Sequence, residues 1–194
     1  MARTLEFDYA QALERATQLF WQTGYASTSL RELLKKMEIG EGSFYNKLKS
    51  KKLAYLECLK HYNATVNLHR AQAFLSAPTA ALGIRALFDA MLGCLDDREA
   101  PRVCLMAGTM TAEVLDDDDL RAYVEAQTTA FAQAMVTRFE ADRAAGILPV
   151  AFDAESVAQI VLTYAQGLWR MGLLSYERTR IERQVDVFLT ALGL

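Results

Sequence analysis

Apolar residues recur along this chain at helical rather than alternating spacing almost throughout, which predicts an all-α protein. Tyr9, Ala12, Leu13, Ala16, Leu19 and Phe20 form an i, i+3, i+4, i+7 stripe that stops at Thr23-Gly24, as at a glycine C-cap. A short second helix follows, with Leu30, Leu33, Leu34 and Met37 facing inward and the Thr28 hydroxyl, between Ser27 and Ser29, as its cap. Glu38-Ile39-Gly40-Glu41-Gly42 makes a turn, a third short helix spans about Ser43 to Lys49, and a long fourth spans about Lys52 to Ser76. Beyond Pro78 the pattern gives five more helices, at about 79–96, 102–115, 118–144, 154–174 and 178–192, or about nine in all. Four acids, Asp116 to Asp119, precede one of them and are read as a helix start favoured by the dipole, not as a metal cluster.

Two helices stand out by their faces. The one at 154–174 is apolar on nearly every side, which a surface helix of a monomer should not be. Ile181, Val185, Phe188, Leu189 and Leu192 line one side of the next. Together they predict a homodimer interface made by 154–174 and 178–192. On the short third helix, at about 100° per residue, Phe44 and Leu48 point one way and Asn46 nearly the other. Asn46 is flanked by Ser43 and Lys47 on one side and by Tyr45 and Lys49 on the other.

Charge sharpens this asymmetry. The chain has 194 residues and a formal net charge of −3, yet residues 1–60 hold ten Lys/Arg against seven Asp/Glu. Hydrophobic residues at 52% argue against disorder. No apolar run approaches the ~20 residues that span a bilayer and the N-terminal stretch has no signal-peptide core, so no membrane partner and a cytoplasmic location are expected. Cys58, Cys94 and Cys104 form neither a CxxC pair nor a disulfide framework. No catalytic motif is present; the two histidines, His61 and His69, share one predicted helix eight residues apart, a spacing that makes neither a metal pair nor a triad. An enzyme, a metal site and a cofactor are therefore not expected.

Two short helices joined by a tight turn form a helix-turn-helix, whose second helix enters the DNA major groove. Asn46 has the donor and acceptor to read an adenine edge, and Ser43 and Lys47 reach base edges or phosphates. Tyr45, through its hydroxyl, and Lys51 suit backbone phosphates. Thr28 and the free amides at the start of helix two are placed for another. Gly42 lets the turn approach DNA closely, and Glu41 is either an acceptor for cytosine or a solvated turn residue. A helical adaptor that binds only protein is the alternative; it accounts for the dimer-like helices but not for the Ser43/Asn46/Lys47 face.

The stretch from Gly24-Tyr25-Ala26-Ser27-Thr28-Ser29 through Leu33-Leu34 to Ile39-Gly40-Glu41-Gly42-Ser43-Phe44-Tyr45-Asn46-Lys47-Leu48-Lys49-Ser50-Lys51 resembles the DNA-binding domain of tetracycline-repressor-like (TetR) regulators. The resemblance covers about residues 8–55. It implies a helix-turn-helix domain at 1–52 and a helical ligand-binding and dimerisation domain at 53–194, with helix four shared between them. It further implies a homodimeric repressor on a palindromic double-stranded operator, released by a small-molecule or electrophilic inducer. By position, Ser43, Tyr45, Asn46, Lys47 and Lys51 contact DNA and Thr28 holds phosphate. Glu38 stands where the family commonly has a glycine, with Gly40 expected to compensate, and Leu48 replaces an aromatic.

Polar or soft residues among apolar ones mark the candidate ligand pocket: His61, Tyr62, Arg70, Cys104, Met106, Met110, Tyr123, Phe131, Tyr164 and Trp169, although core packing is the commoner use of such side chains. Arg170, a cation in an apolar helix, is expected to make a structural salt bridge. Arg102-Val103-Cys104-Leu105-Met106, with Ala112-Glu113-Val114, resembles a segment of family members that respond to reactive aldehydes, acrylates and other electrophiles. Arg98 or Arg102 would activate the Cys104 thiol there; a buried inert cysteine is the commoner case.

Overall fold

The computed structural model describes residues 8–97, 101 and 103–194, and the described residues contain helices and no strands. Arg98 and Arg102, the expected activators of Cys104, lie outside them.

The N-terminal elements form where their caps direct. α1 (Tyr9–Thr23) starts at Asp8, whose carboxylate accepts the Gln11 amide, and ends at Gly24, whose φ of 80° needs a residue without a Cβ. α2 (Leu30–Met37) starts at Ser29 with a reciprocal capping box to Glu32. Ser29, not Thr28, is therefore the cap. α2 ends on Glu38 itself in the left-handed conformation, φ 58° and ψ 40°. Gly40 does not compensate: it is the extended N-cap of α3 (Glu41–Leu48) at φ −76°.

Ser50 then caps α4 (Lys51–Tyr62), which runs without a break through a π turn at Asn63–Asn67 into α5 (Leu68–Ser76). The long fourth helix of the sequence pattern is thus one rod with a π turn at its middle. α6 (Ala80–Asp96) packs against α5 so closely that a Cβ on Gly83 would lie 2.5 Å from the Phe74 carbonyl oxygen.

The helix expected at 102–115 is two, α7 (Leu105–Thr109) and α8 (Ala112–Leu115). The hydroxyl of Thr111 caps the second, which breaks the run at Met110. α9 (Asp118–Ala144) is capped by Asp117 as the acidic run suggested, and α10 (Ala154–Leu174) by Asp153. α11 (Arg178–Ala191) closes the fold.

Two apolar cores result. One gathers α1–α4 around Phe20, Leu33, Phe44, Tyr55 and Leu59 and takes in Leu105, Met106 and Val114 from α7 and α8. The other lies among α5, α6, α9, α10 and α11, around Phe74, Phe88, Phe139 and Trp169. The segment 103–109 is held to the first core by two hydrogen bonds: the Trp21 indole N–H donates to the Val103 carbonyl at 2.6 Å, and Tyr55 meets Thr109 at 2.7 Å. Lys52 adds ion pairs to Asp117 and Asp119 at 3.2 and 2.7 Å. None of the described helices is long and apolar enough to cross a membrane.

Candidate DNA interface and ligand cavity

α3 presents two unlike faces. Phe44 and Leu48 are buried, at 0% and 3% exposure. Glu41, Gly42, Ser43, Tyr45, Asn46, Lys47 and Lys49 are all exposed. No side chain caps the N-terminus of α3, so its first amides stay open to an anion. A Cβ at Gly42 would meet nothing within 4 Å, so the turn faces open space.

The lysines are held over aromatic rings: Lys47 Nζ lies 5.0 Å from the Tyr9 ring centre and Lys51 Nζ 4.5 Å from that of Tyr25. Such contacts position an ammonium without neutralising it. Lys51 is half-buried, and desolvation lowers its pKa. Lys49 donates to the Asn46 carbonyl at 2.7 Å. The surface offers hydrogen-bonding groups at its centre and positive charge at its edge, the arrangement that reads a groove and grips its phosphates.

Thr28 does not join this surface. It is 1% exposed and its hydroxyl donates to the Gly24 carbonyl at 2.7 Å. The α2 N-terminus beside it is occupied as well: the Glu32 carboxylate takes the Ser29 amide and hydroxyl, bonds that hold its pKa below the usual carboxylate range. Thr28 is a packing residue, and its expected phosphate contact is corrected accordingly. The burial follows from the loop: Gly24 turns the chain so that Thr28 folds back beneath it.

With this geometry in view, the comparisons place the chain. Residues 12–52 match the family of bacterial regulatory proteins, tetR family. The chain is a TetR-family regulator. It is 25% identical over 193 residues to the HTH-type transcriptional regulator YezE of Bacillus subtilis (strain 168), covering 99% of this chain and 100% of YezE. Identity is also 25% over 190 residues to the HTH-type transcriptional repressor ComR of Escherichia coli (strain K12), covering 97% and 89%. Its structure matches a cysteine mutant of the TetR family transcriptional regulator CifR complexed with a 26-base-pair operator DNA, at TM-score 0.87 and 28% identity over 97% of this chain and 99% of that one.

The second site of this TetR-family chain is a cavity of about 530 Å³ between α5, α7, α9 and α10. Cys104, Met106, Met110, Phe131, Trp169 and Arg70 line it, as do the sequence-silent polar residues Asn63, Asn67, Gln127 and Gln166. Four expected pocket residues lie elsewhere. His61 pairs with Glu14 at 2.6 Å across to α1, and Tyr164 stacks on Phe188, ring centres 3.9 Å apart. Tyr123 and Tyr62 sit behind the wall, where the Tyr123 hydroxyl accepts from Asn63 at 3.1 Å and that of Tyr62 accepts from Arg70 at 3.0 Å.

Arg170 is exposed and donates to the Ala107 carbonyl at 3.1 Å, and among the described residues the expected salt bridge is not made. Two of the polar residues missed from sequence had one readable signal: Asn63 and Asn67 fall at i and i+4 ahead of Arg70 at i+7, within a helix whose flanks are apolar. The π turn that directs them inward had none.

Proposed function

We propose that this chain is a homodimeric transcriptional repressor that holds a palindromic operator through α3 and lets go when a small molecule occupies the cavity. The observation that carries the reading is the division of α3: two buried apolar anchors and an outward row of Ser43, Tyr45, Asn46 and Lys47. Asn46 reads a base edge, Ser43 and Lys47 follow base or phosphate, and Tyr45 and Lys51 take phosphates. Glu41, in the first turn, favours its own helix dipole and faces the groove as an acceptor.

The coupling runs through two connections. Two residues separate the end of α3 from the start of α4, which continues by the π turn into α5, so one rod reaches from the reading head to the cavity wall. The segment carrying Cys104, Met106 and Met110 lines the cavity and also packs on the N-terminal core. A ligand that displaces this wall shifts the rod and changes the separation of the two heads from the ~34 Å of one DNA turn. The stripe expected to dimerise on α11, Ile181, Val185 and Leu189, is buried in the chain's own core, so the dimer face falls to the exposed Ile160, Met171 and Leu174 of α10, with Val187 of α11.

The test is duplex binding by fluorescence anisotropy, using a palindrome recovered by in vitro selection. Asn46→Ala is expected to cost about 1–3 kcal/mol and to relax preference at one base position. Lys47→Ala should weaken all sequences and lower the salt slope by about two, one for each protomer. Both should leave the melting temperature unchanged. Folded variants that bind as tightly as the parent would refute the reading.

A further inference from the structure

The cavity's polar end is built around the Arg70 guanidinium. Arg70 Nη1 donates to the Tyr62 hydroxyl at 3.0 Å and to Asn67 Oδ1 at 3.4 Å, and Nη2 donates to Cys94 Sγ at 2.9 Å. None of the three acceptors is a carboxylate, and among the described residues no carboxylate pairs with the guanidinium. Burial raises the Tyr62 pKa, so that hydroxyl stays protonated and supplies no negative charge. Three N–H groups of five are used, which leaves donors for a further acceptor.

Around it, Asn63, Asn67 and Gln127 form a chain of hydrogen bonds: Asn67 Nδ2 to Asn63 Oδ1 at 2.5 Å and Asn63 Nδ2 to Gln127 Oε1 at 2.8 Å. Leu87, Met91, Met106, Phe131, Leu162 and Trp169 supply most of the remaining wall, with the polar Thr128, Gln159, Thr163 and Gln166 among them. Two of the polar residues belong to the π turn, a helix irregularity that recurs at functional sites.

We infer that the cavity takes a small carboxylate with an apolar body, its carboxylate seated on Arg70 beside Asn67 and its body against Met91, Phe131 and Trp169. This rests on the cavity's being the effector site, but carboxylate preference is measured on the protein alone, so its failure is distinct from a failure of DNA regulation. A guanidinium and a carboxylate match as a planar fork, whereas an uncharged ligand would leave the arginine as it stands. The ligand's charge would draw Arg70 Nη1 from Asn67 and so load the π turn that joins cavity to reading head.

The experiment uses the full chain and matched probes by calorimetry: linear six- to twelve-carbon and arylalkanoic acids, each beside its primary amide. At least one acid is expected to bind roughly 10- to 100-fold more tightly than its amide, the worth of a charge-assisted hydrogen bond pair. Arg70→Gln should remove that difference while Arg70→Lys keeps part of it, and circular dichroism would show both folded. Should Arg70→Gln not fold, the acid-to-amide ratio on the parent protein decides alone. No acid outbinding its amide would overturn the inference, as would a preference that survives in Arg70→Gln. Response only to electrophilic probes, with a covalent adduct on Cys104 by intact mass and no acid preference, would also overturn it.

Discussion

Glu38 shows how a single residue holds backbone strain at the centre of the reading head. A side chain at φ 58° costs about 1 kcal/mol that glycine avoids, and its ion pair with Arg15 is exposed and offsets little. Glu38→Gly should therefore stabilise the chain by about 1 kcal/mol in urea denaturation; a loss of stability would mean the Arg15 contact outweighs the strain. The two faces of α3 were legible from spacing alone, because Phe44 and Leu48 sit four apart and Asn46 between them. Thr28 was not. A hydroxyl ahead of a leucine run reads as a cap, but Ser29 one place later has Glu32 in register for the reciprocal box, and the competition is decided by that partner.

Among elements, the contact between α4 and α7 is one of those that join reading head to cavity. Thr109 donates to the Leu105 carbonyl at 2.8 Å, so the Tyr55 hydroxyl is the donor in their shared bond. Tyr55→Phe should cost about 1 kcal/mol and weaken the effect of a cavity ligand on operator affinity; an unchanged ligand effect would remove this contact from the coupling route.

Burial pushes the Tyr55 hydroxyl and the Cys58 thiol each up to about 12. Both are neutral when protonated and folded pKa values exceed unfolded ones, so their contribution is complete below about pH 8.5 and is lost as pH rises from there through 12. Denaturant midpoints should fall across that window and fall less in Tyr55→Phe.

Helix existence was legible nearly everywhere, since α9 and α10 follow the 3.6-residue period between clear caps. The break at Met110 and the π turn were not. Both leave the apolar pattern intact, and the break at Met110 is decided by a local hydrogen bond, the Thr111 cap.

At the scale of the whole molecule, the uneven charge makes sense as a division of labour. The positive surplus lies in residues 1–60 and the acidic excess in the later helices, to which the proposed function gives sensing and dimerisation. Met171 is 61% exposed in the single chain and lies mid-stripe on α10 with Ile160 and Leu174. Met171→Glu should leave the fold intact, since the residue is not buried, but give a monomer by sedimentation and reduce palindrome binding to that of a half-site. A dimer of unchanged stability would place the interface elsewhere.

The cavity was only partly visible in the sequence. Its soft residues Cys104, Met106, Phe131 and Trp169 stood out, but Gln127 and Gln166 join the lining only through the packing of α9 and α10.

The most direct test of the account is the salt dependence of binding to a palindromic duplex, measured for the parent protein and Lys47→Ala. A two-headed reader predicts saturation at one dimer per duplex and a steep fall of log K with log salt. For Lys47→Ala the slope should be lower by about two, one for each protomer. Binding that ignores salt, or a slope unmoved by Lys47→Ala, would contradict it.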